Sequence, residues 1–161
     1  MRTISNVIEV VEKYVSILLV ASMTLVLFAN VIYRYFLNSP IYWANEASIF
    51  MMAWLTFLGG SLGLKYKSQA AITFLIERLS LKNKKIVGIM THILILVFLT
   101  LLLFISYHWI FSLSSAVSSS MRIPMWIPYS AVPVGLTFAF IHLSNHLITF
   151  IKGGGQGGES I

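Results

Sequence analysis

Arg34 and Glu46 are two charged residues that flank one turn between long apolar runs. Arg34 closes the first run, and Glu46 follows the Asn38-Ser39-Pro40 turn into the second. At 1.5 Å of rise per helical residue they lie roughly 6 Å and 9 Å from that turn, so they share a depth. A charge beside hydrocarbon is costly without a partner, which favours an ion pair that locks the hairpin. The alternative is that one of the two faces another protein.

Three histidines have a spacing that would suit a membrane haem. His142 and His146 lie one helical turn apart, and His92 lies near the start of the preceding apolar run. In antiparallel helices, His92 and His146 reach a similar depth, which is how two helices ligate a haem. His108 has no counterpart at its own level, and histidines in helices also serve as hydrogen-bonding groups. A haem-bearing membrane anchor of a redox enzyme therefore stays as an alternative function.

The remaining polar residues do not assemble into a catalytic or metal centre. The chain has no cysteine, which excludes disulfides and thiolate chemistry. Its acidic residues are too few and too scattered for a carboxylate dyad or a carboxylate metal site. The Gly-rich stretch 153–158 lies near the end of the chain and is not a phosphate-binding loop after a strand. We therefore predict no enzymatic activity and no catalytic, cofactor-binding or metal-binding residues.

The composition predicts an all-α integral membrane protein. Of 161 residues, 58% are hydrophobic and only 10% are charged, whereas about 25% are charged in a soluble domain. A membrane span needs about 20 apolar residues, and the chain supplies four runs of that kind. We predict a single membrane domain over residues 1–161, with four transmembrane helices at about 14–36, 41–64, 86–111 and 130–151.

Helix signals define the borders of the first two spans. Apolar residues recur at helical spacing over 4–11 and predict a short interfacial helix before the first span. Ser39 is placed as the N-cap of the second span, with Pro40 as its first helical residue. Within that span, Gly59 and Gly63 are one small-xxx-small step apart, a spacing that favours close packing against a neighbouring helix.

The segments around the last two spans carry interfacial signals. Basic residues are frequent over 65–85, and the apolar residues there share one helix face, which predicts an amphipathic interfacial helix at about 69–81 in contact with membrane lipids. Trp126 suits a membrane interface, and prolines at 124, 128 and 133 prevent an uninterrupted helix. Residues 153–161 are predicted to form a flexible tail.

The distribution of basic residues predicts the orientation. With four spans, both termini and the 65–85 loop share one side of the membrane. That side carries nine of the 11 lysines and arginines, since only Arg34 and Arg122 lie on the other. The positive-inside rule then places both termini in the cytoplasm.

Two groups of residues together resemble the signatures of one transporter family. The first group reads Asn30-Val31-x-x-Arg34-Tyr35, then Pro40, Trp43 and Glu46, then Trp54-Leu55-x-Phe57-Leu58-Gly59. The second reads Ile123-Pro124-x-Trp126, Tyr129 and Val132-Pro133-x-Gly135. In order and spacing they resemble the small, DctQ-like membrane subunit of tripartite ATP-independent periplasmic (TRAP) transporters. The resemblance covers nearly the whole chain.

These signatures and the charge pattern give a set of structural or interface candidates rather than catalytic ones. The candidates are Asn30, Arg34, Trp43, Glu46, Gly59, Gly63, Arg122, Pro124, Trp126 and Pro133. The family commonly has a His-Ile-x-x-Asp-type pattern after the second span. Here the matching positions are Gln69, Ala70 and Thr73, so no role of that His or Asp carries over.

The resemblance implies a sodium-coupled secondary uptake system for organic acids in a bacterial inner membrane. A large membrane subunit would carry substrate and sodium, and a periplasmic binding protein would deliver the substrate. This subunit would scaffold the large subunit and help to dock the binding protein, with no cofactor of its own and no nucleic-acid partner. From the residues alone, a standalone four-helix proton-coupled transporter that uses Glu46 stays open beside the haem-bearing anchor.

Overall fold

Helices form the whole framework of this protein. The computed structural model describes residues 2–76, 81–113 and 115–152. Its helices are α1 (Arg2–Phe36), α2 (Ala44–Ile76), α3 (Leu81–Ser112), α4 (Trp126–Tyr129) and α5 (Ala131–Lys152). Four segments are long and apolar enough to cross a membrane, namely Thr3–Phe36, Ala44–Tyr66, Ile86–Ser112 and Trp126–Ile151. The prediction of an all-α membrane protein with four spans is confirmed.

The first helix is longer than predicted. α1 runs without a break from Arg2, so the separate interfacial helix expected over 4–11 is wrong. The physical reason is that neither glycine nor proline occurs between Arg2 and Phe36, so nothing interrupts the backbone ladder. At 1.5 Å per residue, the 34 residues of Thr3–Phe36 extend about 51 Å, well beyond a hydrocarbon core of about 30 Å. Part of α1 therefore extends past the hydrocarbon.

The second helix begins later than predicted. Ser39 is not an N-cap and Pro40 is not helical, because α2 starts at Ala44. The chain reverses at Asn38, whose φ is 48°, and the N–H of Ile41 donates to the side chain of Asn30 at 2.9 Å. With its N–H held by α1, the segment after Pro40 stays in a turn until Ala44.

The predicted interfacial helix at 69–81 lies partly outside the described residues. Residues 69–76 are helical but continue α2 directly to Ile76, and residues 77–80 are not described. The side chains at positions 69, 70 and 73 and the tail 153–161 also lie outside the description. An interfacial position for this segment and a flexible tail stay predictions.

The Ser-rich and Pro-rich stretch forms a loop and a short helix before the last span. Val117 and Pro124 pair across it as an isolated antiparallel bridge. The single turn of α4 includes Pro128, and α5 starts two residues after α4 ends, with Pro133 in its first turn. Proline is tolerated there because first-turn N–H groups have no helical partner. The expected interruption of the helix by prolines is confirmed.

The four long helices lie side by side in the order α1, α2, α5, α3. α1 packs mainly on α2, α2 packs on α5, and α5 packs on α3. Between their described residues, α1 and α3 make no close backbone approach. The helix bundle has two ends. We call one the terminal end, which carries Ser5, Lys65 and His146, and the other the loop end, which carries Asn30, Glu46 and residues 115–125.

Packing is tightest along α5. A small apolar core joins α3 and α5 through Leu99, Ala139 and Leu143. On the side facing α2, a Cβ built at Gly135 would lie 2.6 Å from the Cβ of Phe57 and 2.9 Å from its backbone. Gly135 therefore sets the distance between α2 and α5. Gly59 and Gly63 do not pack in this way, since a Cβ at either has no described neighbour within 4 Å.

Replacing Gly135 with alanine should destabilise the helix pair. The added methyl group overlaps Phe57 at atoms that cannot rotate away, and overpacking of this kind costs about 1–3 kcal/mol. Thermal unfolding of the purified chain in nanodiscs should show a lower Tm for Gly135→Ala. Gly59→Ala is the matched control, and it should be neutral or stabilising because alanine favours helix by about 1 kcal/mol. Equal effects at both positions would contradict the close contact.

Candidate functional site

The Glu46 carboxylate organises the loop end. It lies in the first turn of α2 and accepts three consecutive backbone N–H groups, from Ser119 at 3.1 Å, Ser120 at 2.9 Å and Met121 at 2.8 Å. The next residue, Arg122, has a φ of 57°, which reverses the chain after these amides. Charge-assisted bonds to a carboxylate are about twice as strong as neutral ones. Glu46 therefore fastens the 115–125 loop to the start of α2.

The predicted ion pair between Arg34 and Glu46 is wrong. Both carboxylate oxygens of Glu46 accept hydrogen bonds from loop amides, and no salt bridge joins Glu46 to Arg34 among the described residues. The physical reason is that loop amides without helical partners compete for the same carboxylate. Arg34 lies in the last turn of α1 and is exposed. It is therefore available on the surface of the loop end.

Asn30, rather than an ion pair, holds the first helical hairpin together. Its Oδ1 accepts the N–H of Ile41 at 2.9 Å, and its Nδ2 donates to Oδ1 of Asn45 at 3.3 Å. One side chain near the end of α1 thus fixes both the turn and the start of α2. Asn30 was one of the structural or interface candidates from the sequence.

Aromatic residues surround the loop end. Trp43 is 45% exposed and Trp126 is 46% exposed, as expected for side chains at a membrane interface. Below them, Trp109 and Tyr129 meet edge to face with centroids 5.1 Å apart, which joins α3 to α4. Of the other candidates, Arg122 is exposed, Pro124 pairs with Val117, and Pro133 is buried in α5.

A second group of charges lies at the terminal end and is called the Glu9 cluster, comprising Glu9, Lys13, Lys65 and Tyr66. The Glu9 carboxylate meets the ammonium groups of Lys13 at 2.7 Å and Lys65 at 2.6 Å, and it accepts the hydroxyl of Tyr66. Lys65 also donates to the carbonyl of Ser5 at 3.1 Å. These contacts join the end of the apolar span Ala44–Tyr66 of α2 to the start of α1.

Beside it lies the His142 cluster, which comprises Ser5, Glu12 and His142. Nδ1 of His142 lies 2.7 Å from Oγ of Ser5, and Nε2 lies 3.0 Å from Oε2 of Glu12. All three residues are at most 1% exposed. With the ring proton on Nε2, His142 donates to Glu12 and accepts the hydroxyl of Ser5.

The His142 cluster has the residue types of a hydrolytic triad but not its geometry. In a catalytic triad the serine meets Nε2 and the carboxylate meets Nδ1, which is the reverse of the arrangement here. Ser5 is also only 1% exposed, so a substrate carbonyl has no route to its hydroxyl. The cluster is therefore a buried polar joint between α1 and α5.

The remaining two histidines of the haem alternative are also held by hydrogen bonds. Nε2 of His146 donates to the carbonyl of Lys65 at 3.0 Å. Nδ1 of His92 donates to the carbonyl of Gly88 at 2.8 Å, and its ring stacks on Phe150. No group of three or more His, Asp or Glu residues that could hold a metal ion occurs within the part of the chain that the structure describes.

Sequence reasoning did not identify the polar residues of the terminal end as partners. Glu9 and Glu12 precede the first uncharged run, so they read as solvent-facing charges. A signal was present, because Ser5, Glu12 and Ser16 recur at intervals of seven and four residues and so share one face of α1. A polar stripe on an otherwise apolar helix indicates a polar partner on a neighbouring helix.

This chain is similar to small membrane subunits of one kind of transporter. A family model described as "Tripartite ATP-independent periplasmic transporters, DctQ component" matches residues 23–153. The C4-dicarboxylate TRAP transporter small permease protein DctQ of Vibrio cholerae is 30% identical over 166 residues, covering 86% of this chain and 72% of that protein. A putative TRAP transporter small permease protein of Haemophilus influenzae is 26% identical, covering 94% and 88%. The sialic acid TRAP transporter small permease protein SiaQ of Vibrio cholerae is 22% identical, also covering 94% and 88%.

Glu46→Gln should loosen the loop. Glutamine keeps one of the two acceptor oxygens and replaces the other by an NH2 donor, so it cannot accept the N–H groups of Ser119, Ser120 and Met121 together. Hydrogen exchange followed by mass spectrometry should show these amides exchanging about tenfold faster or more. Arg34→Gln is the control that separates the two arrangements. It should leave exchange over 119–121 unchanged, and a comparable increase would restore the ion-pair interpretation.

Proposed function

This chain belongs to the DctQ family of tripartite ATP-independent periplasmic transporter components, and on that premise we propose that it works as a scaffold rather than as a carrier. By family it is a small permease subunit of a TRAP transporter and a multi-pass membrane protein. In the proposal it braces a large membrane subunit that binds substrate and sodium. It also presents one surface to a periplasmic substrate-binding protein.

The observation that carries the scaffold role is the position of its charges. No Asp, Glu, Lys or Arg occurs within 14–33, 47–64, 86–112 or 131–151. A transport pathway needs polar or ionisable groups near the bilayer midplane, and coupling ions need oxygen ligands there. In this chain the charges occur at the two ends, outside these runs. Sodium coupling is therefore assigned to the large subunit.

The orientation follows from the same charges. Nine of the 11 basic residues fall on the side of the terminal end, and Arg34 and Arg122 fall on the side of the loop end. By the positive-inside rule the terminal end faces the cytoplasm. The loop end then faces the periplasm of a bacterium with the chain in its inner membrane.

The loop end is suited to meet a soluble partner. Arg34 and Arg122 are both exposed there, while the negative charge of Glu46 is satisfied by the loop amides. The result is a positive surface, held by the fastened loop and bordered by Trp43 and Trp126. Such a surface favours an acidic patch on the binding protein.

The substrate class is proposed from the relatives. Their names specify a C4-dicarboxylate transporter and a sialic acid transporter. Both substrates are organic acids, and we assign the same broad class to the system that contains this chain. Selection among organic acids belongs to the binding protein and the large subunit, because no residue of this chain meets the substrate in the proposal.

The chain reconstituted alone should not transport. Proteoliposomes that contain only this subunit, with an inward sodium gradient and a binding protein loaded with a labelled organic acid, should match empty liposomes. Adding the large subunit should produce sodium-dependent uptake, because that subunit supplies the pathway.

Uptake by the chain alone would contradict the scaffold role. If that uptake followed a proton gradient and were lost in Glu46→Gln, the result would support a standalone proton-coupled transporter instead of a scaffold. An absorbance spectrum of the same purified protein addresses the haem-bearing anchor, since a Soret band would support that alternative.

Reversing the two exposed arginines should weaken docking of the binding protein. Arg34→Glu with Arg122→Glu replaces attraction by repulsion, and we expect the Kd for the binding protein to rise about tenfold at low salt. The difference should shrink in concentrated salt, because exposed charges are screened. The double lysine variant keeps the charge and should keep the affinity. An unchanged Kd for the double glutamate variant would move the docking surface elsewhere.

A further inference from the structure

Three buried side-chain oxygens have no hydrogen-bond partner among the described residues near the His142 cluster. They are Oε1 of Glu12, Oγ of Ser16 and Oγ of Ser61. Glu12 is 0% exposed and Ser61 is 1% exposed, so bulk water does not reach either side chain. Burying a carboxylate oxygen or a hydroxyl is strongly unfavourable unless another group replaces the lost water.

The contacts between helices bring Ser61 to the level of Glu12. α1 and α2 are antiparallel, and Lys65 reaches Glu9 across them. Ser61 lies one turn before Lys65, and Glu12 lies nearly one turn after Glu9. In antiparallel helices these steps go in the same direction, so Glu12 and Ser61 share a layer one turn inside the Glu9 cluster.

α5 enters the same layer through His142. His146 donates to the carbonyl of Lys65, and His142 lies one turn before it, as Ser61 lies one turn before Lys65. The bond between His142 and Glu12 confirms this level directly. Ser16 follows Glu12 by one turn on the same face of α1. The three unpartnered oxygens therefore lie where α1, α2 and α5 meet.

One water molecule has the chemistry that all three oxygens need. It donates one hydrogen to the Glu12 carboxylate and the other to one serine oxygen, and it accepts the hydroxyl of the other serine. Buried waters make two to four such bonds as a rule. Carboxylate and hydroxyl groups at a distance too long for direct bonding are the usual setting for a bridging water.

The charge balance favours water over a metal cation. The Glu9 cluster contains two lysines and one carboxylate, so it has one positive charge in excess. A cation in the next layer would lie close to this excess positive charge, and three oxygens are too few for the six or more ligands of a hard cation.

We propose that this layer binds one internal water molecule through Glu12, Ser16 and Ser61. The water joins α1 to α2 beside the His142 cluster, which joins α1 to α5. Together they complete a polar layer across three helices and hold the start of α1 against the bundle. This site is independent of the docking surface and of the scaffold role.

A structure of the full chain in a lipid nanodisc, at a resolution that shows ordered water, tests the proposal directly. The expected result is a water peak within about 3.2 Å of Oε1 of Glu12 and Oγ of Ser61. The peak should be lost in Ser61→Ala while the helices keep their positions. A direct bond between the Ser61 hydroxyl and Glu12, with no water between them, would overturn the proposal.

Thermal unfolding gives a second measurement with a matched control. Ser61→Ala should lower the Tm by roughly 3 °C more than Ser48→Ala, since it removes a ligand of the water. Ser48 is a suitable control because it is buried on the same helix and its hydroxyl bonds its own helix at the carbonyl of Ala44, at 2.8 Å. Equal shifts would overturn the proposal. Sodium and potassium chloride should affect the Tm equally, and a sodium-specific increase would replace the water by a cation.

Discussion

The cost of leaving a charge unpaired next to hydrocarbon determines how this chain is built. Glu46, at the loop end, is the clearest case, because three successive amides of a distant loop surround its carboxylate. The arrangement satisfies two needs together, since the amides of an irregular loop also require acceptors. One side chain therefore fixes the loop that precedes the last span and with it the backbone that leads to the exposed Arg122.

Polar contacts at both ends compensate for the limited packing between them. Lys65 lies 19 residues after Glu46 on α2, or roughly 28 Å along the helix, close to the hydrocarbon thickness of about 30 Å. Between these levels the helices lie side by side, and Gly135 brings the backbones of α2 and α5 into close contact. Apolar side chains gain little from leaving lipid for one another. The charged and hydrogen-bonded ends thus define how the helices align.

The lengths of the apolar runs predict the four spans, because the bilayer sets the minimum length of a span. The asymmetric distribution of basic residues also predicts the orientation. Partners of individual charges are less predictable. Glu46 bonds backbone amides, which have no residue type and leave no mark on the sequence. Arg34 is closer to Glu46 in sequence than the loop amides are and has the opposite charge, so the sequence favoured it as the partner of Glu46, and that prediction was wrong. Asn30 was indicated by a motif, but its bond to Ile41 depends on the turn at Asn38. Ser39 and Pro40 are typical of a helix start, so the sequence predicted a helix where this turn lies.

A structural carboxylate differs from a coupling carboxylate in whether its contacts can exchange. A coupling group must lose and regain its ligand during each cycle, so its protein contacts have to be exchangeable. Glu46 is bound by three amides that would be left without acceptors if it moved, and Glu12 is bound by a histidine in a fully buried layer. Releasing Glu46 would free the 115–125 loop from α2, and releasing Glu12 would break the contact between α1 and α5. Both carboxylates are therefore suited to a fixed structural role rather than to a coupling cycle.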